Sequence, residues 1–238
     1  MCGRFVTTTA VADLAERLQV DDVRTSETDA NYNVTPRVQV AIVAANERER
    51  VLDRVRWGLV PSWAQDVGIG DKLINARCET VREKPAFRRA FAKRRCLIPV
   101  DGFYEWKAMA ARKAKQPVFI QSTDVGIPLV FAGLYEIWRD KNDAEAPWIR
   151  SCSIVTTSAN DTMAPIHNRM PVILGPEHFD EWLDPKHQDL DVLARLMRPS
   201  ANEIIWYYPV RTLVNKASNN FAELLDAMPM DVLDDVPV

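Results

Sequence analysis

The chain places none of its cysteines in a CxxC spacing and none of its histidines in an HExxH. Cys2, Cys78, Cys96 and Cys152 stand apart, as do His167, His178 and His187. No structural zinc site and no disulfide framework are expected from such a pattern. Long apolar runs are also missing. The longest, 127–135, is far too short to span a bilayer. No basic-then-apolar leader opens the chain, so it reads as cytoplasmic with no membrane partner. Neither a GxGxxG nor a Walker loop occurs, so no nucleotide cofactor is indicated. Internal repeats, low-complexity linkers and breaks in composition are absent. The 238 residues therefore read as one domain.

Charge is present in unequal patches. The formal net charge is −3, which argues against bulk nucleic-acid binding. Yet Arg82, Lys84, Arg88, Arg89, Lys93, Arg94 and Arg95 follow one another with only Glu83 opposing them. A second basic run holds Lys107, Arg112, Lys113 and Lys115. Local density of this kind can steer a polyanion despite an acidic total. The alternative is a solvated helix face, and charge alone favours that alternative. Asp226, Asp231, Asp234 and Asp235 place negative charge at the end. There Met-Pro-Met-Asp and Val-Pro-Val suggest a loose tail over 226–238.

Thr7-Thr8-Thr9 before Val11, Leu14, Ala15 and Leu18 predicts an amphipathic helix capped by a threonine. The β-rich runs 38–44 and 51–57 flank a polar turn and predict a hairpin. Pro85, with cations toward Lys93, predicts a helix over 85–93. Strands are expected at 96–100, 103–106, 117–121, 129–138, 148–157 and 204–210, and helices at 176–183 and 190–197. Strands dominate the middle and helices gather toward the ends. That pattern predicts an α+β fold with a mixed, mostly antiparallel sheet, not a doubly wound one.

The N-terminus carries the most distinctive chemistry. If Met1 is removed, by processing or by self-cleavage, Cys2 presents an α-amine and a thiol on adjacent carbons. An α-amine titrates near ~7.7–8.0, so part of it is neutral and nucleophilic at neutral pH. It can condense with an aldehyde, and the thiol can then close on the imine carbon to a thiazolidine. The thiolate could instead attack an acyl group. Taken alone, a cysteine at position 2 is usually idle. Glu105 lies between Tyr104 and Trp106, where lost solvation would raise a carboxylate toward neutral pH. Taken singly, it is better read as an outward strand position. His167 can shuttle protons near pH 7, although a loop histidine bonded to backbone is the simpler reading. Asn75 and Arg77 share a face if their segment is extended. An amide there can hold an oxygen or an amine, and a guanidinium can fork a phosphate; a polar network stabilising a turn is the alternative. Trp57, Trp63 and Trp106 are more often core than stacking platforms. Beside basic runs they are nonetheless compatible with single-stranded nucleic acid.

Six segments together resemble one family. They are Met1-Cys2-Gly3-Arg4, Tyr32-Asn33 with Pro36, Trp57-Gly58-Leu59 with Pro61 and Trp63, Ile74-Asn75-Ala76-Arg77 with Glu79-Thr80, Gly102-Phe103-Tyr104-Glu105-Trp106, and Ile166-His167 with Arg169-Met170-Pro171. Their order and composition are similar to the SOS response-associated peptidase family, and the likeness runs through Val214-Asn215 and Ala222-Glu223-Leu224. The resemblance implies one α+β domain over 1–225, with a distorted, barrel-like mixed sheet flanked by helices. It implies a monomeric sensor of abasic sites in single-stranded DNA, acting in the DNA damage response and located on the nucleoid when bound. The lesion would be captured as a covalent thiazolidine crosslink, with no metal or cofactor. Cys2 would be the nucleophile, with Asn75, Glu105 and His167 as the catalytic residues around it. Arg4, Asn33, Pro36, Trp63, Arg77 and Trp106 would line the DNA groove. Two other readings stand beside this one. The first is a cysteine-type peptidase using Cys2, His167 and Glu105, including autolysis at Met1-Cys2. The second is a non-catalytic single-strand binder.

Overall fold

A computed structural model describes residues 2–26, 29–109, 112–143, 145–187 and 189–233. Its strands are β1 (Arg4–Thr7), β2 (Asp22–Val23), β3 (Asn31–Val34), β4 (Gln39–Ala45), β5 (Arg50–Trp57), β6 (Asn75–Arg77) and β7 (Arg95–Val100). They continue as β8 (Gly102–Met109), β9 (Arg112–Ser122), β10 (Leu129–Trp138), β11 (Ile149–Ser158), β12 (Arg169–Pro171) and β13 (Ile205–Pro209). The helices are α1 (Val11–Arg17), α2 (Arg88–Lys93), α3 (Phe179–Leu183) and α4 (Leu190–Leu196), with short 3₁₀ turns elsewhere.

The expected hairpin forms as β4 and β5, paired antiparallel from Gln39↔Arg56 to Ala45↔Arg50. Asn46 closes its turn by accepting from the N–H groups of Arg48 and Glu49, as a turn asparagine does. β4 then pairs with β7, β7 with β10, β10 with β11, and β11 runs parallel to β5. Those pairings close a ring of five strands inside a larger sheet, so the α+β class with a mixed, mostly antiparallel barrel-like sheet is the observed one. A second sheet runs in the order β13-β9-β8-β1-β3.

Alternation along the strands sends side chains to two cores. Val43, Leu97, Ala132 and Leu134 pack with Leu14, Phe91, Trp182 and Leu193 of the helices. Ile42, Ile98 and Phe131 pack with Phe5, Phe103 and Ile120 of the second sheet. Both faces of the central strands are therefore covered. Arg95 joins β7 to the helices from within. Its buried guanidinium donates to Phe91 O at 2.7 Å, Ala92 O at 2.9 Å, Trp182 O at 2.6 Å and also to Asp184 O. It thereby satisfies carbonyls that α2 and α3 leave open at their C-terminal ends.

Several expectations shift in the structure. α1 begins at Val11 with Ala10 before it and no side-chain cap. The hydroxyls of Thr8 and Thr9 bond Asp101 instead. The helix expected from Pro85 begins only at Arg88. The Pro85 carbonyl accepts the Trp63 indole N–H at 3.2 Å, and Phe87 is buried with non-helical φ of −120°. The basic run around α2 is not a uniform solvated face: Arg82 pairs with Asp191, Arg94 with Glu136, and Arg95 is buried. The acidic tail expected from 226 is docked as far as Leu233. Met228 N–H donates to Pro209 O at 2.8 Å, and Leu233 is buried beside β13. Residues 234–238 lie outside the described residues.

Candidate active site

Cys2 lies just ahead of β1, whose register against β8 is Arg4↔Tyr104 and Phe5↔Phe103. That pairing carries the N-terminus along β8 toward Glu105 and Trp106. Cys2 is fully buried and belongs to the same core as Phe5, Trp57, Ile98 and Ile154. Asn75 enters from β6, which runs parallel to β11 with Asn75 opposite Ile154. His167 enters from the turn before β12, which pairs with β11 on the other edge through Thr156↔Pro171. One long strand thus supports both the amide and the imidazole.

Asn75 Nδ2 donates to the Cys2 carbonyl at 2.8 Å. The amide therefore fixes the backbone of Cys2, where the sequence suggested a hold on the amine or on a substrate oxygen. The Asn75 carbonyl oxygen is buried and accepts no hydrogen bond among the described residues, so the acceptor end is left for a donor. Glu105 is buried, only 4% exposed. The outward position suggested by local alternation is ruled out because both faces of β8 are covered: Tyr104 packs with Val6 and Phe119, and Phe103 with Ile120 and Phe131.

Burial pushes the Cys2 thiol well above the ordinary thiol range, and the Glu105 carboxylate adds to the rise. The thiol is therefore protonated at neutral pH. Burial lowers His167 below its ordinary value, while the charge of Glu105 acts in the opposite sense. Glu105 thus acts electrostatically on both Cys2 and His167, which puts the three side chains in one neighbourhood. His167 Nδ1 accepts the Arg169 backbone N–H at 3.0 Å, which assigns the proton of the neutral ring to Nε2.

The expected groove residues divide by environment. Arg4 donates to Asn33 Oδ1 at 2.8 Å and to Val214 O at 2.9 Å, and its guanidinium lies 6.0 Å from the centre of the Trp106 ring. Asn33 is buried and spends its amide on the carbonyls of Val214, Lys216 and Asn219. It shapes this wall from behind. Trp106 is half-buried, its indole N–H held by Asn215 Oδ1 at 2.7 Å. Arg77 is exposed at the end of β6. Pro36 is half-buried in the turn after β3, next to Arg37 at φ 79°. Trp63 is half exposed, and its loop meets β10 at Trp138, whose indole donates to Ala64 O at 2.8 Å. Trp138 pairs with Ile149 at the start of β11, five residues before the Ile154 that faces Asn75. The structure therefore gathers Cys2, Asn75, Glu105 and His167, while the Trp63 indole is spent on the Pro85 carbonyl.

Sequence reasoning assigned no role to Glu79 and Arg169. They form a two-pronged ion pair at 2.7 and 3.0 Å, and Arg169 also donates to Thr156 O at 2.7 Å. The pair clasps the segment bearing Asn75 to the segment bearing His167. The signal available was an acid and a base of opposite charge, one in each of two motif segments. Among the described residues no group of three or more His, Cys, Asp or Glu side chains is arranged to hold a metal. No described helix is long and apolar enough to cross a membrane.

The family model of the SOS response associated peptidase (SRAP) matches residues 1–217. The chain belongs to that family. It is 42% identical over 228 residues to the abasic site processing protein YoaM of Bacillus subtilis, covering 95% of this chain and 98% of that one. It is 31% identical to the abasic site processing protein YedK of Escherichia coli, covering 94% of this chain and 99% of the relative. A crystal structure of a protein from Bacteroides thetaiotaomicron superposes with a TM-score of 0.82 at 27% identity, covering 95% of this chain and all of that one. The SRAP fold thus accounts for the ring of strands and for the segments that meet at Cys2.

Proposed function

We propose that this protein processes abasic sites in single-stranded DNA by capturing them covalently on Cys2 once Met1 has been removed. The observation that carries the reading is the setting of Cys2: a buried residue whose carbonyl is gripped by Asn75, with one carboxylate acting on both its thiol and His167. Family membership and the names of the relatives, abasic site processing proteins, support the same reading.

The ring-opened abasic sugar offers an aldehyde. The neutral α-amine of Cys2 adds to its carbon, and the proton lost from nitrogen passes to Glu105. Glu105 returns that proton to the oxygen to give the carbinolamine and then moves the second nitrogen proton the same way, so the hydroxyl leaves as water and the imine forms, while His167 Nε2–H holds the departing oxygen by a hydrogen bond. The thiol then adds across the C=N bond: sulfur bonds carbon, and the thiol proton ends on nitrogen. The saturated five-membered ring removes the electron sink that would acidify the neighbouring C–H and break the strand by β-elimination. A protonated thiol suits this order, because the amine must react first. A cysteine peptidase at Met1-Cys2 would need a thiolate, and burial beside a carboxylate disfavours one.

The test is incubation of parental, Cys2→Ala and Cys2→Ser proteins with an abasic single-stranded oligonucleotide, followed by denaturing electrophoresis. The parental protein gives a denaturant-stable adduct, Cys2→Ala gives none, and Cys2→Ser gives at most a labile one. A stable adduct with Cys2→Ala would overturn the reading and point to a lysine nucleophile. Equal binding by both with no adduct from either would establish a non-catalytic binder.

A further inference from the structure

We infer that the β8–β9 hairpin beyond Trp106 is a cationic arm that grips the phosphodiester backbone of the DNA strand flanking the lesion. The inference deepens the proposed function and rests on it. The segment 106–117 contains Lys107, Arg112, Lys113 and Lys115 and no acidic residue, in a chain whose net charge is −3. The positive charge of this arm is therefore local and uncompensated by its own sequence.

The structure fixes the base of the arm and exposes Lys113 and Lys115. Three bonds tie the base to the C-terminal part of the chain. Trp106 Nε1 donates to Asn215 Oδ1 at 2.7 Å, Gln116 Nε2 to Val210 O at 2.7 Å, and Lys107 Nζ to Leu233 O at 3.1 Å. Beyond them the register slips. Lys107 faces Gln116, but Met109 faces Arg112, so β9 holds three residues where β8 has only Ala108. An insertion of this kind re-aims side chains and is frequent beside active sites. Lys113, Ala114 and Lys115 are consequently all exposed. Neither lysine joins an ion pair among the described residues.

Position selects the partner. Lys115 adjoins the buried Gln116 and lies two residues before Pro117, whose partner across the hairpin is Trp106. Arg4 lies over the same Trp106 ring. The lysine charge also reaches His167, where it opposes protonation. The arm therefore continues the positively charged wall away from the reacting residues, and a strand lodged at Cys2 would run onto it. An acidic protein segment has matching charge but no reason to enter beside Cys2.

The experiment compares parental protein with the Lys113→Glu/Lys115→Glu variant by fluorescence anisotropy across salt. The ligands are single strands with a stable tetrahydrofuran abasic analogue, one long and one carrying a single nucleotide on each side. Both lysines are exposed, so the melting temperature should stay at the parental value. On the long strand the variant should bind more weakly, with a log–log salt slope shallower by about 1.4, two phosphates at about 0.7 each on a single strand. On the short strand the two proteins should bind alike. Parallel slopes on the long strand would overturn the arm, whatever else the hairpin binds. Loss of crosslinking by the parental protein when a true abasic site replaces the analogue on both strands would instead refute the active-site reading and leave the slope difference interpretable by itself.

Discussion

Replacing Asn75 by alanine removes a side-chain bond that holds the Cys2 carbonyl. That bond is 2.8 Å long and its acceptor belongs to a fully buried residue. Leaving a buried acceptor unsatisfied costs roughly 1–3 kcal/mol. If the cost falls on the position of the terminal residue, the crosslinking rate should drop by about 5- to 150-fold, at 1.4 kcal/mol per tenfold. β6 has other supports: its backbone pairs with β11 from Asn75 to Arg77, and Ala76 is buried. The melting temperature should therefore fall by only a few degrees. Asn75→Asp should do worse than alanine, because it sets a carboxylate against a carbonyl and adds a second negative charge near Glu105. The assay is single-turnover crosslinking to an abasic single-stranded oligonucleotide, with thermal melts on the same samples. A parental rate for Asn75→Ala would refute the claim that the amide positions the nucleophile. A rate loss matched by a comparable loss of stability would assign Asn75 to the fold alone.

Two further outcomes follow from other parts of the molecule. Arg95→Met strands four carbonyls that the guanidinium now serves. It should cost roughly 3–5 kcal/mol, allowing that some carbonyls regain water, or about 10 °C in a chain of this size; a calorimetric shift under 2 °C would contradict the account of how α2 and α3 are terminated. Burial holds His167 below its ordinary value of 6.5, so the unfolded chain takes up a proton that the native state resists. Stability should rise with pH from the native value up to about 6.5 and be flat above it. Melting temperatures of parental and His167→Gln protein between pH 5 and pH 7.5 check this, the parental protein losing more on acidification; identical slopes would contradict it.

Much of the fold is legible locally. Strand β10 occupies the expected 129–138 because its apolar run is bounded by Pro128 and a polar loop, and the β4–β5 hairpin follows from two β-rich runs about one turn. The misreadings share one cause, which is long-range bonding that local pattern does not encode. Thr8 and Thr9 are drawn away from capping by Asp101, and Pro85 is drawn away from starting a helix by Trp63. Glu105 looks outward by alternation, yet it is buried because a second layer covers β8. Cys2, Asn75, Glu105 and His167 are legible in segments that resemble the SRAP family. That Asn75 grips Cys2 itself, and that Glu79 and Arg169 clasp two of those segments, needed the three-dimensional pairing of β6 and β12 on opposite edges of β11.

The most direct test of the central claim is tandem mass spectrometry of the proteolysed adduct formed with an abasic single-stranded oligonucleotide. The account predicts a peptide beginning at Cys2, lacking Met1, with the sugar remnant joined through both the α-nitrogen and the sulfur of Cys2 and one water lost. A remnant on a lysine, or on the Cys2 sulfur of a chain that still carries Met1, would contradict it.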